Sequence, residues 1–186
     1  MAGKTEKNTY RIVVCGVMAA IIFVVTAYIR VPLGETKTNF ANGISMLAGL
    51  LFGGVLGGVS AGIGSAVSDV LYGYGPFEIL ITFIMKFLMA FAAGGIYSLK
   101  KPGKSVVRGV LASVAGALLY VALYMAKTFL FQLFVYGNTY EGAFIVMGTK
   151  ILGSLLNAAV AIVAAPLLNE ALRLPLEKTG LLKKLK

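Results

Sequence analysis

The chain has no histidine, no tryptophan and a single cysteine, Cys15. Without histidine, the usual proton shuttle near neutral pH and the commonest metal ligand are missing. One thiol makes neither a disulfide framework nor a Cys/His metal site. Serines such as Ser65 and Ser68 have no imidazole base, and Lys86 alone does not activate a nucleophile, so an enzymatic centre is disfavoured. Charge is scarce as well: 13% of the 186 residues are Asp, Glu, Lys or Arg, 59% are apolar, and the mean hydropathy is +0.89. Soluble domains carry roughly 25% charged residues, so the chain reads as a membrane protein. Its net charge of +10 would suggest nucleic acid in a soluble protein. Here the placement of the basic residues matters more, because they collect on the cytoplasmic side of a membrane protein.

A bilayer core of ~30 Å needs about 20 helical residues at ~1.5 Å each. Apolar segments of that length or more occupy 10–29, 40–72, 77–99, 106–135 and 143–172. The first follows Lys4, Lys7 and Arg11 and has no small-residue cleavage site before Arg30, so it is read as a span rather than a removed leader. The second is too long: about 33 residues of straight helix would run ~50 Å. It contains "AGLLFGGVLGGVSAGIGSAVSD", Ala48 to Asp69, with two interleaved glycine series at four-residue spacing. A turn within Phe52–Gly58 divides it and raises the count to six spans. Lys4, Lys7, Arg11, Lys100, Lys101, Lys104, Arg108, Arg173, Lys178, Lys183, Lys184 and Lys186 then share one side. The predicted architecture is an all-α integral membrane protein with six transmembrane helices and both termini cytoplasmic. It forms one transmembrane domain over 1–186, with spans near 10–29, 40–53, 55–72, 77–98, 106–135 and 143–172. The glycines let neighbouring helix backbones approach closely.

Five ionisable residues fall within or at the ends of these spans: Asp69, Glu78, Lys86, Lys127 and Lys150. Each costs ~2.5 to 3.5 kcal/mol on insertion scales and is expected to face a cavity or another charge. Six-span topology sets Asp69 and Glu78 near the outer ends of spans three and four. Lys127 and Lys150 fall in the outer halves of spans five and six, and Lys86 near mid-membrane. Helical spacing groups Glu78, Thr82 and Lys86 on one stripe, Tyr120, Tyr124, Lys127 and Phe131 on a second, and Lys150, Ser154 and Asn157 on a third. Span three offers Ser65, Ser68, Asp69 and Tyr72. Such stripes suit an outward-opening pocket with an apolar wall and a few fixed polar groups. Two plainer explanations compete: the lysines snorkel to the interface, or they pair internally, Lys86 with Glu78 first. Three lysines against two acids leave surplus positive charge, which favours a ligand with a carboxylate, phosphate or acidic ring group. In the absence of tryptophan, Tyr72, Phe77, Tyr120 and Tyr124 are the available stacking surfaces.

Several stretches carry a resemblance: the Ile-Arg-Val-Pro hinge at Ile29–Pro32, "NFANG" at Asn39–Gly43, the glycine-rich hairpin, "GSAVSDVLYG" at Gly64–Gly73 and "PFEILITFIMKFL" at Pro76–Leu88. With them the chain resembles the substrate-binding S components of energy-coupling factor (ECF) vitamin transporters, above all the branch of riboflavin and hydroxymethylpyrimidine binders. The resemblance covers most of the chain and is strongest from Arg30 to Phe91. It implies a multi-pass protein of a prokaryotic plasma membrane that captures a vitamin-like small molecule at the outer face. It then docks with a transmembrane coupling protein driven by two cytoplasmic ATPases and topples to release the ligand inside. It adds Asn39 and Asn42 to the candidate binding residues Asp69, Tyr72, Glu78, Lys86, Tyr124, Lys127, Lys150, Ser154 and Asn157. It also implies a docking face of small residues four apart on span one, which here are Cys15 with Ala19 and Gly16 with Ala20. No Walker motif is present, so ATP hydrolysis is assigned to the partners. No cofactor, metal or nucleic-acid partner is expected. Riboflavin-like, pyrimidine and pyridoxine-like ligands all stay open. The alternative is a small self-contained ion- or proton-coupled carrier or channel, against which the lack of histidine and of an inverted repeat count.

Overall fold

A computed structural model describes residues 2–33, 36–99 and 106–185, with side chains described except at 2–4, 30–39, 183 and 184. Helix α1 (Ala2–Tyr28) leads into a hairpin of β1 (Arg30–Leu33) and β2 (Thr36–Asn39). Then follow α2 (Ala41–Phe52), α3 (Gly54–Leu71), α4 (Pro76–Ser98), α5 (Val106–Phe134), α6 (Tyr140–Lys178) and the short α7 (Leu181–Leu185). Among the described residues, α1, α3, α4, α5 and α6 are long and apolar enough to cross a membrane. With α2 they make the six-helix bundle.

Helix α2 departs from the expected second span. Its 12 residues rise only about 18 Å, short of a ~30 Å core. It is nonetheless the most enclosed helix of the bundle, with Ala41, Asn42, Gly43 and every residue from Ser45 to Leu50 buried. A helix that is apolar on all sides is stable when protein covers all sides. Here α3, α4 and α6 supply that cover, and Met46 and Met89 are fully buried at its contact with α4. The chain reverses at Gly53, whose φ of 88° lies in a region that only glycine occupies cheaply. The long apolar segment is therefore two helices joined by one residue.

The close approaches are between α2, α3 and α4. A Cβ on Gly94 would stand 2.6 Å from the Gly54 nitrogen, one on Gly54 would stand 2.7 Å from the Phe91 oxygen, and one on Gly49 would meet the Ala90 carbonyl. These glycines serve packing inside the chain, where small residues substitute for the missing hydrophobic drive between helices in lipid.

The link between the first two predicted spans carries the β1–β2 hairpin. Its strands are antiparallel, with Arg30 opposite Asn39 and Leu33 opposite Thr36, and β2 lies against α6. Four-residue strands fall below the length at which apolar alternation is informative. A Gly-X pair between two such runs was the available cue.

Helix α4 begins with proline at its first turn, where the missing N–H removes no bond. Helix α6 is capped by Thr139, whose hydroxyl accepts from the Gly142 nitrogen at 3.3 Å and so holds the first turn.

Candidate functional site

A cavity of about 590 Å³ opens at the end of the bundle where α3 joins α4 and α5 joins α6. Asn42, near the start of α2, bonds Lys86, which lies ten residues into α4, about 15 Å from that helix's N-terminus. Helix α2 thus fills only the inner part of the bundle, and the cavity occupies the volume that a full-length second helix would take. The shortness of α2 makes the site.

Nine of the eleven residues expected at a ligand site line this cavity: Asn42, Asp69, Glu78, Lys86, Tyr124, Lys127, Lys150, Ser154 and Asn157. Tyr72 does not. It sits at the C-cap of α3, and its hydroxyl donates to the Ala27 carbonyl at 2.5 Å, tying α3 to α1. The side chain of Asn39 lies outside the described residues. The wall is completed by Thr26, Ser65, Tyr74, Thr82, Tyr120, Tyr136 and Gly153. Ser65, Thr82 and Tyr120 share the helical stripes already identified. Tyr74 and Tyr136 come from the connections, and the one signal for them was an aromatic residue at a membrane boundary.

Lys86 is the innermost charge, 6% exposed. Its ammonium donates to Asn42 Oδ1 and lies 4.6 Å from the centre of the Tyr120 ring, a cation–π contact. The expected pairing with Glu78 does not form. Eight residues separate the two, about 12 Å along the helix axis, so Lys86 turns across to α2. Tyr120 and Tyr124 are stacked at 6.3 Å, one turn apart on α5. Lys127 Nζ lies 5.0 Å from the Phe131 ring, which stacks on Phe77 at 6.0 Å. Lys150 is exposed at the mouth. Among the described residues, none of Asp69, Glu78, Lys86, Lys127 and Lys150 is in an ion pair. No such pair neutralises them, but Asp69 lies within electrostatic reach of Lys127 and Lys86 and is hydrogen-bonded to Thr82.

The four small residues of α1 divide into two pairs. Cys15 accepts from the Ser60 hydroxyl at 3.3 Å, and the backbone at Ala19 is where Gly64 of α3 makes its closest approach. This pair faces the bundle. Gly16 and Ala20 are exposed, with nothing within 4 Å of a Cβ built on Gly16.

At the other end, Tyr97 of α4 accepts from Asn169 at 3.0 Å and from Arg173 at 2.6 Å, and Arg173 pairs with Glu177 at 2.9 Å. This network joins α4 to α6 well away from the cavity.

A family model for the ECF-type riboflavin transporter S component matches residues 6–174. The chain belongs to this family. As an S component it is the substrate-binding subunit of an ECF transporter, a multi-pass plasma-membrane protein rather than an enzyme. A solved structure described as "Structure and mechanism of the S component of a bacterial ECF transporter" superposes with a TM-score of 0.67 at 23% identity. The match covers 91% of this chain and 99% of that one, and it shows the S-component fold. A UPF0397 protein of Lactiplantibacillus plantarum is 37% identical over 76 residues. That match spans 39% of this chain and 41%, about two fifths, of the length of the curated relative.

Proposed function

We propose that this S component captures riboflavin or a closely similar ring vitamin in the cavity and delivers it by docking with a coupling protein powered by two cytoplasmic ATPases. The observation that carries the reading is the match to the riboflavin-transporter S-component family over 6–174, in a chain whose cavity has suitable chemistry. A volume of about 590 Å³ falls within the ~300–1,000 Å³ usual for small-molecule sites. Tyr74, Tyr120, Tyr124 and Tyr136 offer flat faces to a ring system. Asn42, Thr82, Ser154 and Asn157 offer donors and acceptors for ring heteroatoms and hydroxyls.

The charge balance selects an electron-rich group on the ligand. Three lysines and two carboxylates line the cavity, none of them in an ion pair among the described residues, which leaves one positive charge in excess. The N-terminus of α2, whose N-cap Phe40 supplies no side-chain acceptor, adds partial positive charge at the floor. A ring carbonyl, an acidic ring nitrogen or an anionic substituent is the complement.

Both termini are assigned to the cytoplasm and the cavity to the outside, because the basic residues cluster at the opposite end. Cysteines placed at Val106 and Glu141 in a Cys15→Ser background test this: the second should label from outside and the first only after permeabilisation. The docking face is assigned to Gly16 and Ala20. The deciding experiment for the ligand is mass spectrometry of the small molecule retained after gentle purification, followed by titration of riboflavin. Retention of a pyrimidine or pyridoxine-like compound with no riboflavin binding would reassign the substrate. Uptake by the chain alone, without coupling protein or ATPases, would replace the reading with a self-contained carrier.

A further inference from the structure

Two of the cavity's tyrosines stand on connections rather than on helices, and one of them, Tyr136, is held by a side chain outside the cavity wall. Tyr136 lines the cavity while remaining 61% exposed, so a ligand at the mouth would cover a ring that the protein itself leaves open. Every residue from Phe134 to Tyr140 is exposed. Side-chain burial therefore does little to hold this connection, and its hydrogen bonds matter more. Gln132, on the last turn of α5, supplies two of them. It is 9% exposed, in a position where an unbonded amide would be costly. Its side-chain oxygen accepts from Asn138 Nδ2, and its backbone carbonyl accepts from the Asn138 nitrogen at 2.8 Å. Tyr136 is thus bracketed. Its own nitrogen donates to the Phe131 carbonyl at 3.0 Å, and two residues later Asn138 is fastened to Gln132. Gly137 between them has a φ of 65°, the left-handed conformation that turns the chain back to the helix end. Carbonyls that the end of α5 would otherwise leave open are used to secure the connection.

We propose that Gln132 is a positioning residue: through Asn138 it fixes Tyr136 as a preformed wall of the cavity mouth and so slows the release of a ring-shaped ligand. This rests on the reading of the cavity as a ring-vitamin site, to which it adds the residue that sets residence time. Gln132 is not one of the residues lining the cavity, so its effect passes through Tyr136. A ring already in place loses no conformational freedom when the ligand arrives, and changes at one binding surface are read mainly in the off-rate.

The test has two arms, the first of which needs no ligand. In a Cys15→Ser background, a nitroxide attached through Tyr136→Cys should give a restrained spectrum, and a markedly freer one once Gln132→Ala or Asn138→Ala is added. Equal mobility in all three would overturn the proposal whatever the protein binds. In the second arm, release of riboflavin from the full-length protein in detergent is timed by stopped-flow flavin fluorescence. If riboflavin does not bind the wild type, the riboflavin assignment fails, and the spectra alone decide the positioning. Tyr136→Ala should speed release about three- to tenfold, the range of one aromatic contact, and Tyr136→Phe should not. Gln132→Ala and Asn138→Ala should each speed it by a similar factor with the association rate unchanged. Asn138→Asp should behave as the wild type, because Gln132 can turn its amide over and donate to the carboxylate. Adding Gln132→Ala to Tyr136→Ala should have no further effect. Thermal melts show which variants are folded. Asn138 is exposed, so its variants carry the test if Gln132→Ala is unstable. Unchanged release in Gln132→Ala and Asn138→Ala would overturn the proposal, as would full additivity with Tyr136→Ala or equally fast release from Asn138→Asp and Asn138→Ala.

Discussion

Replacing Lys86 by methionine keeps the length and apolar character of the stem while removing the ammonium at the floor of the cavity. The side chain is 6% exposed, bonded to Asn42 and placed 4.6 Å from the Tyr120 ring centre, with no carboxylate in ion-pair contact. If a ligand carbonyl or anionic group accepts from this ammonium, the lost hydrogen bond is charge-assisted and contributes about 1.5 to 3 kcal/mol. That corresponds to about one to two orders of magnitude in affinity. The empty protein responds differently. It loses the bond to Asn42 and a cation–π contact worth about 0.5 to 2 kcal/mol, and it leaves the Asn42 oxygen wanting a donor. It also loses a buried charge whose desolvation costs several kcal/mol. These contributions oppose one another, so the melting temperature of the ligand-free protein should change little while the rise on adding ligand shrinks. Titration calorimetry with the retained vitamin, alongside melts with and without it, separates the two effects. Wild-type affinity in Lys86→Met would refute the reasoning. A large fall in the ligand-free melting temperature would make Lys86 a lock between α4 and α2 instead. A double-mutant cycle with Asn42→Ala should give a coupling of about 0.5 to 3 kcal/mol if Asn42 orients the ammonium.

Lys127→Met and Lys150→Met should each weaken binding of an anionic or acidic-ring ligand by about tenfold or more; if both bind normally, the two lysines serve only the interface. Gly16→Leu and Ala20→Leu should abolish energy-coupled uptake while sparing vitamin binding by the isolated protein, measured as transport in vesicles against titration in detergent. Unchanged uptake would remove α1 from the docking face, and equal loss of both would indicate misfolding. Gly94→Ala should lower stability by about 1 to 3 kcal/mol because its Cβ would overlap the Gly54 backbone. Gly95→Ala, with open space around it, should be neutral or stabilising by up to about 1 kcal/mol through helix propensity. Equal melting temperatures for these two variants would contradict the packing described between α2, α3 and α4.

Membrane residence and helix count were legible in the sequence for a direct reason. Apolar run lengths are set by bilayer thickness, and an even number of helices is what would set the clustered lysines and arginines on one side. The reversal in "FGGVLGG" followed from parity, and the structure sets it at Gly53. Residues sharing one helix face were legible too, because the 3.6-residue repeat places Glu78, Thr82 and Lys86, or Tyr120, Tyr124 and Lys127, on common stripes without knowledge of any neighbour.

What the sequence could not determine is how far each helix is rotated and how deep it sits, since these depend on packing between segments distant in the chain. Cys15 with Ala19 and Gly16 with Ala20 are equivalent as four-residue pairs, yet only contact with α3 turns the first inward and leaves the second exposed. Tyr72 belongs to the right helix but sits at its C-cap, where its hydroxyl reaches α1 rather than the cavity. Lys86 finds Asn42, 44 positions away, because α2 stops short at that depth. Hydropathy marked the stretch that forms α2 only as an apolar span. Only the tertiary arrangement decided that protein covers it and that its shortness leaves a space lined by charged side chains, with no ion pair among them in the described residues.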